Sequence, residues 1–351
     1  MKDRTPRRRR ASRPLRRPWT RWPDERLLDL RIRDLAVRIE GTWLERCLRD
    51  VYADLAERGI RLRPHAWLSS DWFTPDGVPG IAIPFYLAHP RLMRLERRQM
   101  LEVEGGSHEE CVKILRHECG HAIQQAYRLH RTAEWRRQFG SSARHYPETY
   151  RPNPASKAFV QHLRLYYAQS HPDEDFAETF AVWLQPRALW RKRYAGWPAL
   201  RKLEYVDDVM RRLERVTPAV RTNRQIEPLR TIATTLREYY RGRREQYTVS
   251  FPDTFDRDLR ALFSDEPRHR NRETASHFLR RNRTGIRRLV SRWTGEYQFT
   301  LDQVLTDMVG RCRELKLRAV GPETRLRMDF AVLLTVHTMN VLYNRRTRVA
   351  L

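Results

Sequence analysis

Apolar residues recur at helical spacing over most of the chain, and a short strand-like segment interrupts them near residue 80. From Asp24 to about Leu55, leucine and isoleucine fall three or four positions apart, which predicts helices that end before Gly59. Residues 80–86 are a short apolar run, and Pro84 within it predicts an edge strand because proline cannot donate to a ladder. The pattern therefore predicts a mainly α fold with a small β-sheet.

Two helix starts carry recognisable capping residues. Ser107 followed by Glu110 predicts the N-cap of a helix that runs to about residue 129, and Ser170 predicts the N-cap of another that ends before Pro186. Residues 131–156 contain Gly and Pro at short intervals and predict irregular structure. Further helices are predicted at 157–167, 198–215, 225–246, 254–264, 272–293, 300–318 and 323–344.

Composition divides the chain into three predicted regions. Residues 1–22 hold ten Lys and Arg against one Asp, which predicts a basic disordered arm. Residues 23–217 carry the motifs described below and predict one catalytic domain. Residues 218–351, after Thr217-Pro218, are a series of basic amphipathic helices and predict an all-α C-terminal region, in which we find no catalytic cluster.

Charge and hydropathy restrict the class of protein. The net charge of +26 favours nucleic acid or an acidic partner, bound through the basic arm and the C-terminal helices. Arginine dominates over lysine throughout, so codon bias is a second explanation of this charge. Mean hydropathy is -0.77 and no apolar run reaches 18 residues, which predicts no membrane span. No apolar segment follows the N-terminal arginines, and the four cysteines form no C-x-x-C pair, so we expect reduced thiols in a cytoplasmic protein.

The motif with the most chemical content is His117-Glu118-Cys119-Gly120-His121, which has the form H-E-x-x-H. Histidines four positions apart share one face of a helix, so both imidazoles can reach one metal ion. Glu118 lies about 100° round the helix from His117, where its carboxylate is better placed for a water than for the metal. The pattern is typical of a zinc hydrolase.

A third zinc ligand has to come from elsewhere in the chain. The continuation with a glycine and a third histidine is excluded, because Gln124 and Tyr127 stand at those positions. Glu174 and Glu178 are four residues apart on the later helix, so one can bind the metal while the other accepts a hydrogen bond from a ligand histidine. The alternative is that these acids form a solvated face of that helix.

The segment from Tyr167 to Glu178, with its His-Pro-Asp-Glu-Asp-Phe-Ala-Glu run, resembles the downstream block of a family of zinc-binding metallopeptidases of the gluzincin type. The family pattern is close to H-P-x-E-D-[FW]-A-E. The chain is more distantly similar to the catalytic domain of anthrax lethal factor. The resemblance covers about residues 24–215, and the zinc ribbons that many relatives carry at the N-terminus are missing here.

This resemblance implies a zincin-like metallopeptidase domain at 23–217, with one Zn²⁺ bound by His117, His121 and Glu174. It also implies Glu118 as general base, Tyr167 as a hydroxyl that stabilises the transition state, and Glu178 as the partner of a ligand histidine. The predicted function is zinc-dependent hydrolysis of peptides or proteins, with an extended substrate pairing along residues 81–86. Two alternatives are a nucleic-acid-binding helical protein with a vestigial or structural metal site, and a zinc hydrolase of non-peptide amides.

Overall fold

A computed structural model describes residues 17–147, 149–247, 255–344 and 347–348, with side chains up to residue 340. Most of the predicted basic arm, 1–22, therefore lies outside the described residues. Its last part is ordered, contrary to the prediction, because Trp19 is buried and its indole N–H donates to the Leu35 carbonyl at 3.0 Å. This contact fixes the 3-10 helix Pro18–Arg21 against the main body.

The prediction of a mainly α fold with a small β-sheet is confirmed. In the described residues the α-helices of the first two thirds of the chain are α1 (Asp24–Leu28), α2 (Leu44–Glu57), α3 (Pro90–Met100), α4 (His108–Tyr127), α5 (Ala133–Phe139), α6 (Pro172–Leu184), α7 (Trp190–Arg193) and α8 (Ala199–Leu213). Those that follow are α9 (Leu236–Gln246), α10 (Asp256–Leu262), α11 (Ala275–Thr294), α12 (Gln298–Glu314) and α13 (Glu323–Asn344).

The main sheet pairs β1 (His65–Ser69) with β2 (Gly80–Pro84) in parallel. Ala82 of β2 also forms a single antiparallel bridge with Phe73, helix α4 packs on the strand, and every residue of β2 is buried. The sheet has two strands in the described residues, so β2 is an edge strand as predicted, but its burial makes the prediction of substrate pairing along residues 81–86 wrong. Pro84 is accommodated because the strand ends there and a 3-10 helix, Phe85–Ala88, follows.

Hydrophobic side chains form two large cores within the described residues. The first runs from Trp19 to Tyr240 and buries α4 between α2, β2 and α6. The second, from Phe255 to Leu334, joins helices α10 to α13. The predicted boundary at residue 217 stays a prediction, and the first core continues past it as far as α9.

Three predicted segments differ from the structure. Residues 157–163 are irregular rather than helical, and Glu178 accepts the backbone N–H groups of the last two, His162 and Leu163. The predicted helix 225–246 begins only at Leu236, where Thr235 and Glu238 form a capping box. The predicted irregular region 131–156 contains α5, which Thr132 caps.

A second, two-residue pairing joins the two predicted regions. β3 (Thr149–Tyr150) pairs antiparallel with β4 (Thr347–Arg348), so the C-terminal region is not wholly α-helical. Helix α3, which the sequence analysis missed, follows His89-Pro90 and begins where the His89 ring accepts the Arg91 N–H. Within the described residues, no helix combines the length and hydropathy needed to cross a bilayer.

Candidate metal centre

Helix α4 presents the H-E-x-x-H motif on one buried face. Ser107 caps the helix by accepting the Glu110 N–H at 3.2 Å, as predicted. His117 and Glu118 are almost fully buried, and His121 is partly buried. Their imidazole and carboxylate groups line one cavity of about 340 Å³, named here the metal cleft.

Helix α6 crosses α4 at close range and brings Glu174 and Glu178 to the same place. The contact is tight because Gly120 has no side chain: a Cβ atom there would lie 2.8 Å from the Ala177 Cα. The N-cap of α6 is His171 rather than the predicted Ser170, since the His171 ring accepts the Asp173 N–H. Ser170 instead donates its hydroxyl to the Tyr167 carbonyl at 2.8 Å.

Three donor atoms converge in the metal cleft. The Glu174 Oε2 lies 3.0 Å from His117 Nε2 and 3.2 Å from His121 Nε2, and the two nitrogens are 3.1 Å apart. Tetrahedral zinc ligands at roughly 2.0–2.1 Å from the ion lie about 3.3 Å apart, so the spacing fits zinc. Two imidazole nitrogens and a carboxylate oxygen are also the donor types of a catalytic zinc. These residues can hold a metal ion.

Glu178 is hydrogen-bonded to one of the two histidines, His117. Its Oε1 lies 3.0 Å from His117 Nδ1, and that contact favours a proton on Nδ1, so Nε2 is the nitrogen that can bind a metal. Its Oε2 accepts the backbone N–H groups of His162 and Leu163 at 3.2 and 2.8 Å. The carboxylate is therefore fixed at both oxygens, as expected for the partner of a metal-binding histidine.

The ionisation of the cluster reflects this pairing of charges. Burial alone would lower the pKa of His117, but its hydrogen bonds to Glu174 and Glu178 raise that pKa to about 10. Burial would raise the pKa of Glu174, but His121 and His117 lower it. Protons therefore occupy the metal-free cluster, and an entering ion must displace them, as metal binding generally does.

Glu118 faces the metal cleft beside the three donors. The Thr74 hydroxyl donates to its Oε2 at 2.9 Å and fixes that oxygen. Burial raises the pKa of Glu118, and the neighbouring histidines partly offset the effect. Thr74 belongs to residues 72–76, an irregular segment that forms one wall of the cleft.

Two tyrosines reach the cleft, and only one of them was predicted. Tyr167 is buried, with its ring centroid 5.8 Å from that of His117. Tyr146, which the sequence analysis missed, stacks on His171 at 3.9 Å and donates its hydroxyl to Glu174 Oε1. It lies in an irregular loop 25 residues before His171, so no spacing rule could have found it.

The fold and the centre together define a class of site: a metal centre on two crossing helices with a zinc-type donor set. Residues 95–212, which include both helices, match the model of the family described as "Putative zinc-binding metallo-peptidase". This match confirms the resemblance to that metallopeptidase family and the zinc cofactor. No curated protein and no solved structure matches the chain, so the distant similarity to anthrax lethal factor is not confirmed.

Proposed function

We propose that the protein is a zinc-dependent metallopeptidase that hydrolyses peptide bonds with Glu118 as general base. One observation carries the proposal: His117, His121 and Glu174 converge in a cavity that the Glu118 carboxylate also faces. A structural zinc site is usually closed by four protein ligands and has no need of a free carboxylate at its side. Three ligands and an adjacent base are the parts of a hydrolytic centre.

The ligand residues position one ion, and Glu118 handles the proton. When bound, zinc supplies a Lewis acid that polarises a carbonyl and makes a water acidic enough to lose a proton near neutral pH. Glu118 takes that proton as the water attacks the scissile carbonyl, and then delivers it to the nitrogen of the leaving amine. Thr74 holds the carboxylate in the orientation that both transfers require.

A hydroxyl donor completes the proposed site. Tyr167 donates a hydrogen bond to the oxygen that becomes negative in the transition state, and its burial keeps the ring in place. Burial also raises the pKa of Tyr167 well above its ordinary value, so the phenol keeps its proton. Tyr146 is a second hydroxyl at the cleft, and its bond to Glu174 orients the ligand carboxylate.

One wall of the metal cleft lies beside the proposed general base. Residues 72–76 line the cleft, and Thr74 is hydrogen-bonded to the Glu118 carboxylate. We infer that substrate backbone lies along this wall, in place of the predicted residues 81–86, which are buried.

The direct test is hydrolysis of a mixed peptide library by the zinc-loaded protein, with products identified by mass spectrometry. We expect Glu118→Gln to retain zinc and to lower kcat/KM by roughly 10²–10⁴-fold, the usual contribution of a general base. Glu109→Gln is the matched control, because Glu109 lies exposed on the same helix. Equal rates for wild type and Glu118→Gln would contradict the mechanism, and hydrolysis of N-acyl amides alone would identify a non-peptide substrate.

A further inference from the structure

A second cavity, of about 520 Å³, opens at the C-terminal end of helix α4. We name it the arginine pocket because Arg128, Arg131 and Arg136 line it. Asp76 and Gln125 line both this pocket and the metal cleft, so the two cavities adjoin. The Gln125 amide donates to Asp76 at 3.1 Å and accepts the Gly77 N–H at 3.0 Å, which fixes the wall between them.

The three arginines come from three short elements in succession. Arg128 ends α4 in the left-handed region (φ 53°), Arg131 closes the 3-10 helix Leu129–Arg131, and Arg136 lies on α5. All three are exposed. The side chains converge on one cavity although no regular spacing relates them in the sequence.

These arginines form no ion pair with a carboxylate in the described part of the chain. Glu134 lies close by on α5, but it binds Arg212 at 2.8 Å. Asp76 is the acidic group of the lining, and it is hydrogen-bonded to Gln125. The pocket therefore has three arginines against one carboxylate and a net positive charge.

Helix geometry sets the distance from the pocket to the reacting bond. Gln125 lies one turn beyond His121, about 6 Å along the axis, and Arg128 lies about 10 Å beyond His121. An extended peptide advances about 3.3 Å per residue. A side chain in the pocket therefore belongs to a residue two or three positions from the scissile bond.

We propose that the arginine pocket binds an acidic side chain of the peptide substrate, two or three residues from the bond that is cleaved. This inference rests on the proposed peptidase function and names its substrate class. The net charge of +26 attracts any anion to the whole surface. Binding at a local site differs from attraction by that general field, because its affinity depends on Arg128, Arg131 and Arg136 and not on other arginines.

The first experiment measures binding, which does not depend on turnover. The protein is zinc-loaded Glu118→Gln at 150 mM salt, and the probes are fluorescein-labelled (Gly-Glu)4, its counterpart (Gly-Gln)4 and an eight-residue oligothymidylate. We expect the acidic peptide to bind about tenfold tighter than the amide peptide, the combined effect of three ordinary exposed ion pairs. Replacing Arg128, Arg131 and Arg136 together with Gln should abolish the difference.

The matched control removes the same charge elsewhere. Arg61, Arg94 and Arg292 are exposed and line neither the arginine pocket nor the metal cleft, so their joint replacement by Gln should preserve the tenfold preference. If both triple variants lose the preference for the acidic peptide equally, the preference comes from the overall positive charge and the proposal is wrong. Tighter binding of the oligothymidylate through the same three arginines would overturn it in favour of nucleic acid.

The second experiment separates this proposal from the proposed function. In library digestion by the wild type, Asp and Glu should be enriched two or three positions from the cleaved bond on one side. Cleavage without this enrichment, together with equal binding of the two peptides, would refute the proposed role of the arginine pocket and leave the proposed peptidase function unaffected. Absence of cleavage with the binding preference intact would refute the peptidase and leave the pocket as an acidic-peptide site.

Discussion

Replacing Gly120 with alanine tests whether the close crossing of α4 and α6 builds the metal centre. The added Cβ would lie 2.8 Å from the Ala177 Cα, 3.1 Å from its carbonyl oxygen and 3.2 Å from the Phe180 Cβ. Ordinary van der Waals contact begins at 3.4 Å, so the helices must separate by roughly 0.6 Å. Overpacking of this kind costs about 1–3 kcal/mol, which outweighs the roughly 1 kcal/mol that alanine gains in helix propensity.

The separation also moves a ligand. Glu174 lies one turn before Ala177 on α6, whereas His117 and His121 lie on α4. Ligand distances tolerate about 0.2 Å, so a shift of roughly 0.6 Å should weaken zinc binding by about 10–100-fold.

The assays are urea unfolding followed by far-UV circular dichroism, and zinc competition with a chromophoric chelator. Gly285→Ala on α11 is the control, because nothing lies within 4 Å of a Cβ atom there, and we expect it to stabilise by about 0.5–1 kcal/mol. If Gly120→Ala gains stability as Gly285→Ala does and keeps wild-type zinc affinity, the account of the crossing is wrong.

Three further predictions concern side chains around the centre. Glu178→Gln should lower zinc affinity about 10–100-fold in the same chelator competition, because the His117 Nδ1 proton loses its carboxylate. Burial lowers the pKa of His162 from 6.5 to about 4, so its neutral ring stabilises the fold above pH 6.5 and that stability is lost as pH falls toward 4. From pH 7 to 4, wild type and the exposed-site control His145→Gln should each lose on the order of 3 kcal/mol more unfolding free energy than His162→Gln. Tyr167→Phe should lower kcat about 10²–10³-fold with a small change in KM, while Tyr146→Phe should mainly lower zinc affinity. If Tyr146→Phe lowers kcat and Tyr167→Phe lowers zinc affinity instead, Tyr146 is the oxyanion donor.

The parts of the site that depend on local spacing could be predicted from the sequence. His117 and His121 share a face because four residues make about one helical turn, and Glu174 and Glu178 share a face of α6 for the same reason. The structure brings these two pairs together, although the roles assigned to Glu118, Tyr167 and Glu178 remain predictions. The Ser107 cap could also be predicted, since its partner Glu110 is three residues away.

The parts that depend on distant contacts could not be predicted. Residues 157–163 have a helical composition, but the last two, His162 and Leu163, donate their backbone N–H groups to Glu178, which is 16 and 15 positions away. Thr74 and Tyr146 reach the cleft from an irregular segment and an irregular loop, whose paths are set by tertiary packing rather than by periodicity. The buried position of β2 likewise depends on distant contacts, with helix α4 and with Phe73, which no local pattern indicates.

Zinc content tests most directly whether His117, His121 and Glu174 form one metal centre. The purified protein is analysed by mass spectrometry of its metals, with His117→Ala as the test variant and the exposed His145→Ala as the control. A centre built from these three residues predicts one zinc per chain in the wild type and in His145→Ala, and its loss in His117→Ala. Zinc retained by His117→Ala, or none in the folded wild type after zinc loading, would contradict it.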